Sequence, residues 1–276
     1  GQYCTQYKVT FEHSGLDSTA TGPVVTVNGS AKAYADLPYF LWVNSSSSVT
    51  YDYNDIVLSN VTGKRFNLTG VSGPASPITV TGPVTVIGNY KIQYKVTFDQ
   101  TGVASDFTDT VVTIDGVNYN VTALPTLFWW NKDSTHNFSF ASPLVVDATK
   151  QYNWSSASGL SSLQSGNLTI TTSGSVTGNY IVTNRITFDQ VGVSSDFTGT
   201  VVVIDGASYG VGSLPVSFLW EIGSTHNFSF QSPLVVAANA KQYVWTSTTG
   251  LSTLQNGSIA VTVYGSIVGN YKTQYY

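Results

Sequence analysis

The chain has 276 residues and is poor in charge: Lys and Arg number 11, Asp and Glu number 15, and charged residues make up 9% of the sequence, against about 25% in an ordinary soluble protein. The formal net charge is −4. Nucleic acids and anionic membranes need a basic stripe, which this sequence lacks, so we expect neither as a partner. No apolar run approaches the length of a membrane span.

Cysteine and methionine usage bears on where the protein resides. Cys4 is the only cysteine, so an internal disulfide is excluded; we expect an unpaired thiol, with an intersubunit disulfide as the alternative. Methionine is absent even from position 1, which favours a mature chain from which a signal peptide has been removed. We therefore expect an extracellular or cell-surface protein.

One three-letter word divides the sequence. Gly-Asn-Tyr occurs at 88–90, 178–180 and 269–271, and Gly-Gln-Tyr stands at 1–3. The text between these words repeats in order, as in "YKVTFEHSGL", "YKVTFDQTGV" and "NRITFDQVGV". We predict three tandem domains, called here the first, second and third copies, followed by an extra first strand; their ranges are 1–88, 89–178, 179–268 and 269–276.

The predicted elements within each copy are strands. Apolar and polar residues alternate in "YKIQYKVTF", which is typical of a strand with one buried face, and no segment has the spacing of an amphipathic helix. Asn28-Gly29, Asp115-Gly116 and Asp205-Gly206 predict tight hairpins. Six or seven short strands in about 90 residues predict an all-β fold of tandem immunoglobulin-like antiparallel β-sandwiches, with a small barrel as the alternative. The linkers are short, so neighbouring copies should lie close together.

Candidate catalytic histidines can be compared between copies. His136 and His226 both occur in "STHNFSF", and their counterpart in the first copy is Val49. A position that accepts valine beside aromatic residues indicates packing, and His13, which aligns with Gln100, has no better claim. No motif of a nucleophile, a zinc site or a phosphate loop occurs. We expect no enzyme activity and no cofactor.

The carboxylates raise the question of a calcium site. Asp99, Asp106 and Asp115 recur in the third copy, but the first copy has Glu12, Thr19 and Asn28 at these positions, so only one carboxylate is kept. The simpler interpretation is local structure: Asp115 precedes a hairpin glycine, and Asp106 caps a loop. We expect no metal.

The tryptophans are expected mostly inside the sandwiches. Trp42, Trp129, Trp130 and Trp220 follow Leu-Pro in the most apolar strand of each copy, where large side chains are buried. Exposed aromatic residues would instead be typical of a carbohydrate-binding module, which keeps that function open as an alternative.

Ten Asn-x-Ser/Thr sequons occur, and we predict that they carry N-glycans. In strand phase, Asn137, Asn227 and Asn153 lie opposite rows of aromatic residues and should point to water. A sugar coat would supply the solubility that so few charges cannot. The predicted sites are Asn28, Asn44, Asn60, Asn67, Asn120, Asn137, Asn153, Asn167, Asn227 and Asn256.

The words "GNYKTQYY", "YKVTFDQTGV", "STHNFSF" and "GLSSLQSG" resemble the tandem immunoglobulin-like repeats of archaeal secreted and cell-surface proteins. The resemblance covers the whole chain. It implies an extracellular, glycosylated structural role in a surface layer, a stalk or a filament, and it implies no catalytic residues.

The repeated opening word suggests self-assembly. An extended segment can add a strand to an exposed sheet edge, and a head-to-tail contact of this kind does not close into a ring. We expect polymerisation by exchange of a terminal strand, with a longer repeat array as the alternative. The predicted intersubunit residues are Tyr3, Thr5, Tyr7, Tyr271, Thr273 and Tyr275.

Overall fold

The computed structural model describes residues 3–238 and 240–275; Gly1, Gln2, Asn239 and Tyr276 lie outside it. The described residues form 27 strands, β1 to β27 in chain order, and three single-turn 3-10 helices. The predicted all-β class is therefore confirmed. The 3-10 turns recur at one place in each copy, Tyr34–Asp36, Val121–Ala123 and Val211–Ser213.

The first copy contains ten complete strands and the start of an eleventh. They are β1 (Gln6–Ser14), β2 (Ala20–Thr21), β3 (Pro23–Val27), β4 (Ser30–Ala33), β5 (Tyr39–Asn44), β6 (Ser48–Val49), β7 (Tyr51–Tyr53), β8 (Ile56–Ser59), β9 (Lys64–Ser72), β10 (Ile78–Thr79) and β11 (Val84–Thr101).

The second and third copies repeat one pattern more regularly. The second has β12 (Val112–Ile114), β13 (Val117–Tyr119), β14 (Thr126–Asn131), β15 (Thr135–Phe140), β16 (Leu144–Val145), β17 (Lys150–Gly159), β18 (Ser165–Thr169) and β19 (Gly174–Val191). The third has β20 (Val202–Ile204), β21 (Ala207–Tyr209), β22 (Val216–Glu221), β23 (Thr225–Phe230), β24 (Leu234–Ala237), β25 (Lys241–Gly250), β26 (Asn256–Ala260) and β27 (Gly265–Tyr275).

Each core lies between two sheets. In the second copy one sheet has the order β13-β12-β15-β18, and the opposing sheet is built from β14, β11, β19, β17 and β16. The apolar phase of these strands buries Phe98, Ile114, Phe138 and Phe140 between the sheets. The buried residues form three clusters, which run from Val9 to Tyr90, from Val96 to Tyr180 and from Ile186 to Tyr271.

The predicted hairpins are present, and backbone conformation explains their residues. Asp115 has φ +48° and Gly116 has φ +80°, and they connect β12 to β13 as a two-residue turn in which Ile114 pairs with Val117. Glycine and the short Asp or Asn side chain tolerate this left-handed region. Asn28 and Asp205 adopt the same conformation in the other copies.

The predicted linkers do not exist as separate segments. Strand β11 runs through the boundary expected at 88/89: its first half pairs with β1 and β9, and its second half pairs with β14 and β19. Strand β19 does the same at 178/179. The buried clusters change between Tyr90 and Val96 and between Tyr180 and Ile186, so the cores change a few residues after the expected boundaries.

Residues 269–275 do not form a separate strand, and Tyr276 lies outside the described residues. Gly269 to Tyr275 belong to β27, which pairs with β25 along its length up to Tyr275 opposite Lys241. Tyr271 is buried in the third cluster. Gly-Asn-Tyr therefore ends the core of the copy before it, as at Tyr90 and Tyr180.

Candidate functional surfaces

The Gly-Asn-Tyr word is a packing unit. In the second copy Gly178 lies under the ring of Phe140, where an added Cβ would come within 2.6 Å of the ring. The Tyr180 hydroxyl donates to the carbonyls of Val111 (3.3 Å) and Ala141 (2.9 Å), and burial raises its pKa. The first and third copies repeat these contacts at Tyr90 and Tyr271, so the word recurs because each core needs it.

A second conserved contact fixes the end of the first strand in each copy. Gly102 has φ +93°, and a Cβ there would lie 2.1 Å from the carbonyl oxygen of Tyr180. Only glycine allows the two backbones to approach this closely. Gly15 and Gly192 stand in the same relation to Tyr90 and Tyr271.

The junction between the first and second copies is built on the shared strand β11. Gln93 lies between Arg65 on one side and Asn131 on the other. Arg65 Nε donates to Gln93 Oε1 (2.8 Å), and Gln93 Nε2 donates to Asn131 Oδ1 (3.2 Å). The Arg65 guanidinium also lies 4.4 Å from the ring centroid of Trp129, within the range of a cation–π contact. Single polar residues give no periodic signal, so the sequence alone does not predict this row.

One backbone hydrogen bond recurs at every junction position. Lys132 N donates to Ile92 O (2.8 Å), and Ile222 N donates to Val182 O (3.0 Å). In the first copy the corresponding donor, Ser45 N, bonds to Thr5 O (2.8 Å). The N-terminal segment therefore occupies, beside β5, the place that β11 and β19 occupy beside β14 and β22.

The predicted intersubunit residues differ in environment. Tyr3 is fully exposed and Tyr275 is 75% exposed, whereas Tyr271 is buried. Tyr7 pairs with Val43 of β5, and Thr273 pairs with Tyr243 of β25. The described strands pair with residues 271–275 of β27 on the β25 edge alone, whereas the equivalent part of β19 is paired on both edges.

His136 has more than the packing role that the sequence suggested. Its ring stacks on Trp130 at 3.8 Å with an interplanar angle of 7°, Nδ1 lies 2.6 Å from Asp115 Oδ2, and Nε2 lies 2.9 Å from Ser134 Oγ. The third copy repeats the arrangement with Ser224, His226, Asp205 and Trp220.

The order Ser, His, Asp matches that of a hydrolase triad, but the surroundings do not. Ser134 Oγ donates its proton to the carbonyl of Asn131 (2.6 Å), so this proton is not directed at the imidazole. The amides of Lys132, Asp133 and Ser134 all donate to backbone carbonyls, which leaves none of the three to stabilise an oxyanion. We infer that Ser134, His136 and Asp115 together hold the turn before β15 against the β12–β13 hairpin.

The recurring acids Asp106 and Asp196 make side-chain contacts within their own copies. Asp106, which the sequence suggested as a loop cap, also accepts hydrogen bonds from Lys150 Nζ (2.7 Å) and the Tyr152 hydroxyl. The hydrogen bond from Lys150 is the largest cause that holds the pKa of Asp106 below its ordinary value. Asp196 pairs with Lys241 and Tyr243 in the third copy. Within residues 3–238 and 240–275, no group of three or more candidate metal ligands comes together.

The first copy places its carboxylate differently. Asp17, two residues before the position of Asp106, contacts Lys64 Nζ (2.6 Å). Tyr152 is replaced by Phe66, which has no hydroxyl to donate, and Asp17 accepts from the amide of Thr19 instead (3.0 Å).

The sequons lie at the surface, although not equally. Seven of the predicted asparagines are exposed and three are half-buried. Asn153 does not point freely to water as expected: its Nδ2 donates to Thr183 Oγ1 (3.2 Å). Asn67 Nδ2 donates to the carbonyl of Leu68 (3.1 Å), and Asn120 Oδ1 caps the 3-10 turn at Ala123. The exposed sequons are Asn28, Asn44, Asn60, Asn137, Asn167, Asn227 and Asn256.

The tryptophans of the strands after Leu-Pro are only partly buried, so that expectation was partly wrong. Trp130 is 9% exposed, but Trp42 is 60% exposed and Trp129 is half-buried. Trp42 and Phe40 lie on the outer face of β5, which among the described strands is an edge strand that pairs only with β1. A groove of about 530 Å³ runs beside Phe40 and includes Lys8, Thr10 and Glu12.

Only the first copy has an aromatic residue at the Phe40 position of this groove. The position of Phe40 is Leu127 in the second copy and Ser217 in the third. This aromatic groove therefore does not recur as a cleft in every copy.

Comparison with known proteins gives distant structural similarity. No family model matches the sequence, and no curated protein matches it. Among solved structures, streptococcal SHIRT domains 3–4 of a cell surface protein match 66% of this chain and 99% of their own at 14% identity, with a TM-score of 0.22. The major pilin subunit BcpA of Bacillus cereus matches 96% of this chain and 99% of its own at 10% identity, with a TM-score of 0.30.

The pilus adhesin SpaC of Lactobacillus rhamnosus GG matches 98% of this chain at 11% identity, with a TM-score of 0.25, and the match spans 43% of the adhesin. TM-scores of this size do not establish a shared fold. In the described part of the chain, no helix is long and apolar enough to cross a membrane.

Proposed function

We propose that this chain is a structural subunit of an extracellular, glycosylated filament or surface assembly of an archaeal cell, in which copies join head to tail through their terminal strands. The observation that carries the proposal is the pair of shared strands. Strands β11 and β19 each end one core and begin the next, so the junction leaves no flexible linker.

The inner junctions supply a template for the outer one. Thr273 stands where Ile92 and Val182 stand, and its carbonyl would accept from Ser45 N of the next molecule, in place of Thr5 O of that molecule. Because Tyr271 is buried in the third cluster while Tyr3 is fully exposed, the C-terminal strand keeps its place and the N-terminal segment is displaced.

The surface composition supports an extracellular role. Charged residues are few, and seven exposed sequons are spread over all three copies. Glycans at these positions would keep a weakly charged rod soluble.

The test compares the full chain with Tyr275→Pro by negative-stain microscopy and light scattering over a range of concentrations. Backbone groups alternate along a strand, and Ile92 O faces β14, so the amide of Tyr275 should face the open edge rather than β25. Proline there removes one donor from the open edge and leaves the pairing with β25 in place.

We expect filaments from the full chain with Asn44 unmodified, and single molecules from Tyr275→Pro in the same state. Val263→Pro, at an exposed position outside β27, serves as the control and should still form filaments. Single molecules of the full chain at every concentration would contradict head-to-tail assembly.

A further inference from the structure

An exposed strip of side chains follows the outer face of β5. Phe40, Trp42 and Asn44 alternate along the strand, all three are exposed, and Trp42 is 60% exposed. Residues two apart on one face of a strand are separated by about 6.6 Å, a distance that a sugar ring nearly spans. The strip therefore begins at a sequon asparagine and continues over two aromatic rings.

The amide of Asn44 is oriented for modification. Gln6 Nε2 donates to Asn44 Oδ1 (3.0 Å), which fixes the side chain through its oxygen and leaves Nδ2, the atom to which a glycan is attached, outside this bond. At Asn153 and Asn67, by contrast, Nδ2 itself donates to a protein oxygen.

The sequon and the aromatic pair occur together in one copy only. The position of Asn44 is Asn131 in the second copy, followed by Lys132 and Asp133, which is not a sequon. In that copy Phe40 is replaced by Leu127, and Trp129 is covered by Arg65. The third copy has Glu221, Leu219 and Ser217 at these places.

We propose that an N-glycan on Asn44 lies along β5 and covers Trp42 and Phe40; the inference rests on the glycosylation in the proposed function. The C–H faces of sugar rings bury apolar area against aromatic rings. Lys8 Nζ lies 4.3 Å from the ring centroid of Phe40, so a glycan would contact the part of this ring that remains exposed. Beyond Phe40, Lys8, Thr10 and Glu12 line the groove with donors and acceptors of cancelling charge, which suits a neutral chain of hydroxyl groups.

A second molecule is the competing occupant of this strip. In the junction template, Gln242 of a preceding molecule takes the position of Arg65 and would approach Trp42. A glycan on Asn44 would hold that position, so head-to-tail growth would stop at a molecule that carries it and would continue only through molecules whose Asn44 is unmodified.

The experiment uses the full-length glycoprotein from a host that N-glycosylates sequons. Ser46→Ala removes the sequon and keeps Asn44; Ser139→Ala removes the sequon of Asn137, whose neighbours on its exposed face are not aromatic. Acrylamide quenching of tryptophan fluorescence is measured at a fixed low concentration, and glycopeptide mass spectrometry reports which sequons are occupied.

In Ser46→Ala we expect the quenching constant to rise roughly 1.3-fold, because one of the tryptophans gains solvent contact. The rise should be absent in Ser139→Ala, and Ser46→Ala should produce none when made in a Trp42→Leu background.

Two results would overturn the inference and leave glycosylation standing: an occupied Asn44 with unchanged quenching, or an empty Asn44 while other sequons are occupied. Quenching that rises on dilution in wild type and Ser46→Ala alike would make a second molecule the occupant and also overturn it. If no sequon is occupied, the glycosylation in the proposed function fails as well.

Discussion

The first copy and the two later copies build the same turn with different chemistry. In the second copy the imidazole of His136 lies between Trp130 and the carboxylate of Asp115, whereas the first copy has Val49, Val43 and Asn28 at these three positions. Asn28 Oδ1 still accepts from the amide of Thr50 (2.9 Å), as Asp115 Oδ1 does from Asn137 (3.0 Å). In all three copies the side-chain oxygen at this position accepts from a backbone amide. The position is a carboxylate only in the copies where a histidine ring lies beside it.

The carboxylate near the start of each copy also changes together with its partners. When Tyr152 is replaced by Phe66, the carboxylate moves from position 106 to the place of Asp17 and keeps a lysine partner. Residues that touch one another change together, because a buried or half-buried polar group left without a partner costs free energy.

The largest expected effect concerns what all three copies share. Gly102→Ala places a Cβ against the carbonyl of Tyr180 and adds a side chain at positive φ, so we expect a loss of about 3 kcal/mol or more in the second copy. Hydrogen exchange of peptides from that copy measures the loss.

Gly116→Ala is the matched control for this prediction. Gly116 has φ +80° but nothing lies within 4 Å of its added Cβ, so the loss should be about 1 kcal/mol. Equal losses in the two variants would contradict the close approach of the two backbones.

Substituting residues of the second copy by those of the first tests whether His136 and Asp115 depend on each other. His136→Val should cost about 2 kcal/mol, because Asp115 loses its charged hydrogen bond and Trp130 loses its stacked ring. Adding Asp115→Asn should recover part of this cost, with a coupling energy of about 1 kcal/mol in a double-mutant cycle. Strict additivity would show that the two side chains act independently.

A smaller effect is expected at the tyrosine of the repeated word. Tyr180→Phe removes the hydroxyl that donates to Val111 O and Ala141 O, and we expect a loss of about 1–2 kcal/mol. Tyr90→Phe and Tyr271→Phe should lose similar amounts in their own copies. Urea-dependent hydrogen exchange measures the free energy of unfolding of each copy. An unchanged free energy in the third copy of Tyr271→Phe would contradict the assignment of Tyr271 to that core.

The smallest effect concerns Asp106 and depends on pH. Lys150 holds the pKa of Asp106 below its unfolded value of about 3.9, so its stabilisation is complete above about pH 4 and is lost as pH falls through the lower folded pKa. The carboxylate is 40% exposed, so Asp106→Asn should cost at most about 1 kcal/mol at neutral pH. The Tm values of wild type and Asp106→Asn should become equal as the pH falls below the folded pKa of Asp106. A difference in Tm that stays constant down to low pH would contradict the ion pair.

Strand pattern and hairpins could be predicted from the sequence because they depend on neighbouring residues. The period of two along "YKIQYKVTF" and the Asp-Gly and Asn-Gly pairs specify local conformation, and the structure has them. The burial of Trp42 and Trp129 was mispredicted, because apolar character does not say which face of an edge strand meets the opposing sheet. The row of Arg65, Gln93 and Asn131 could not be predicted, since its members are separated along the chain and meet only when β11 is shared.

The sequence by itself determined the all-β class, the three-fold repetition and the positions of the turns, since each follows from spacing within a short window. Only the tertiary structure decided to which core the Gly-Asn-Tyr word belongs. Its glycine and tyrosine contact residues that are distant along the chain. Gly178 packs against the ring of Phe140, and the Tyr180 hydroxyl donates to the carbonyl of Val111. Those contacts place the word at the end of one core rather than at the start of the next, because packing is settled by distance in space and not by order in the chain.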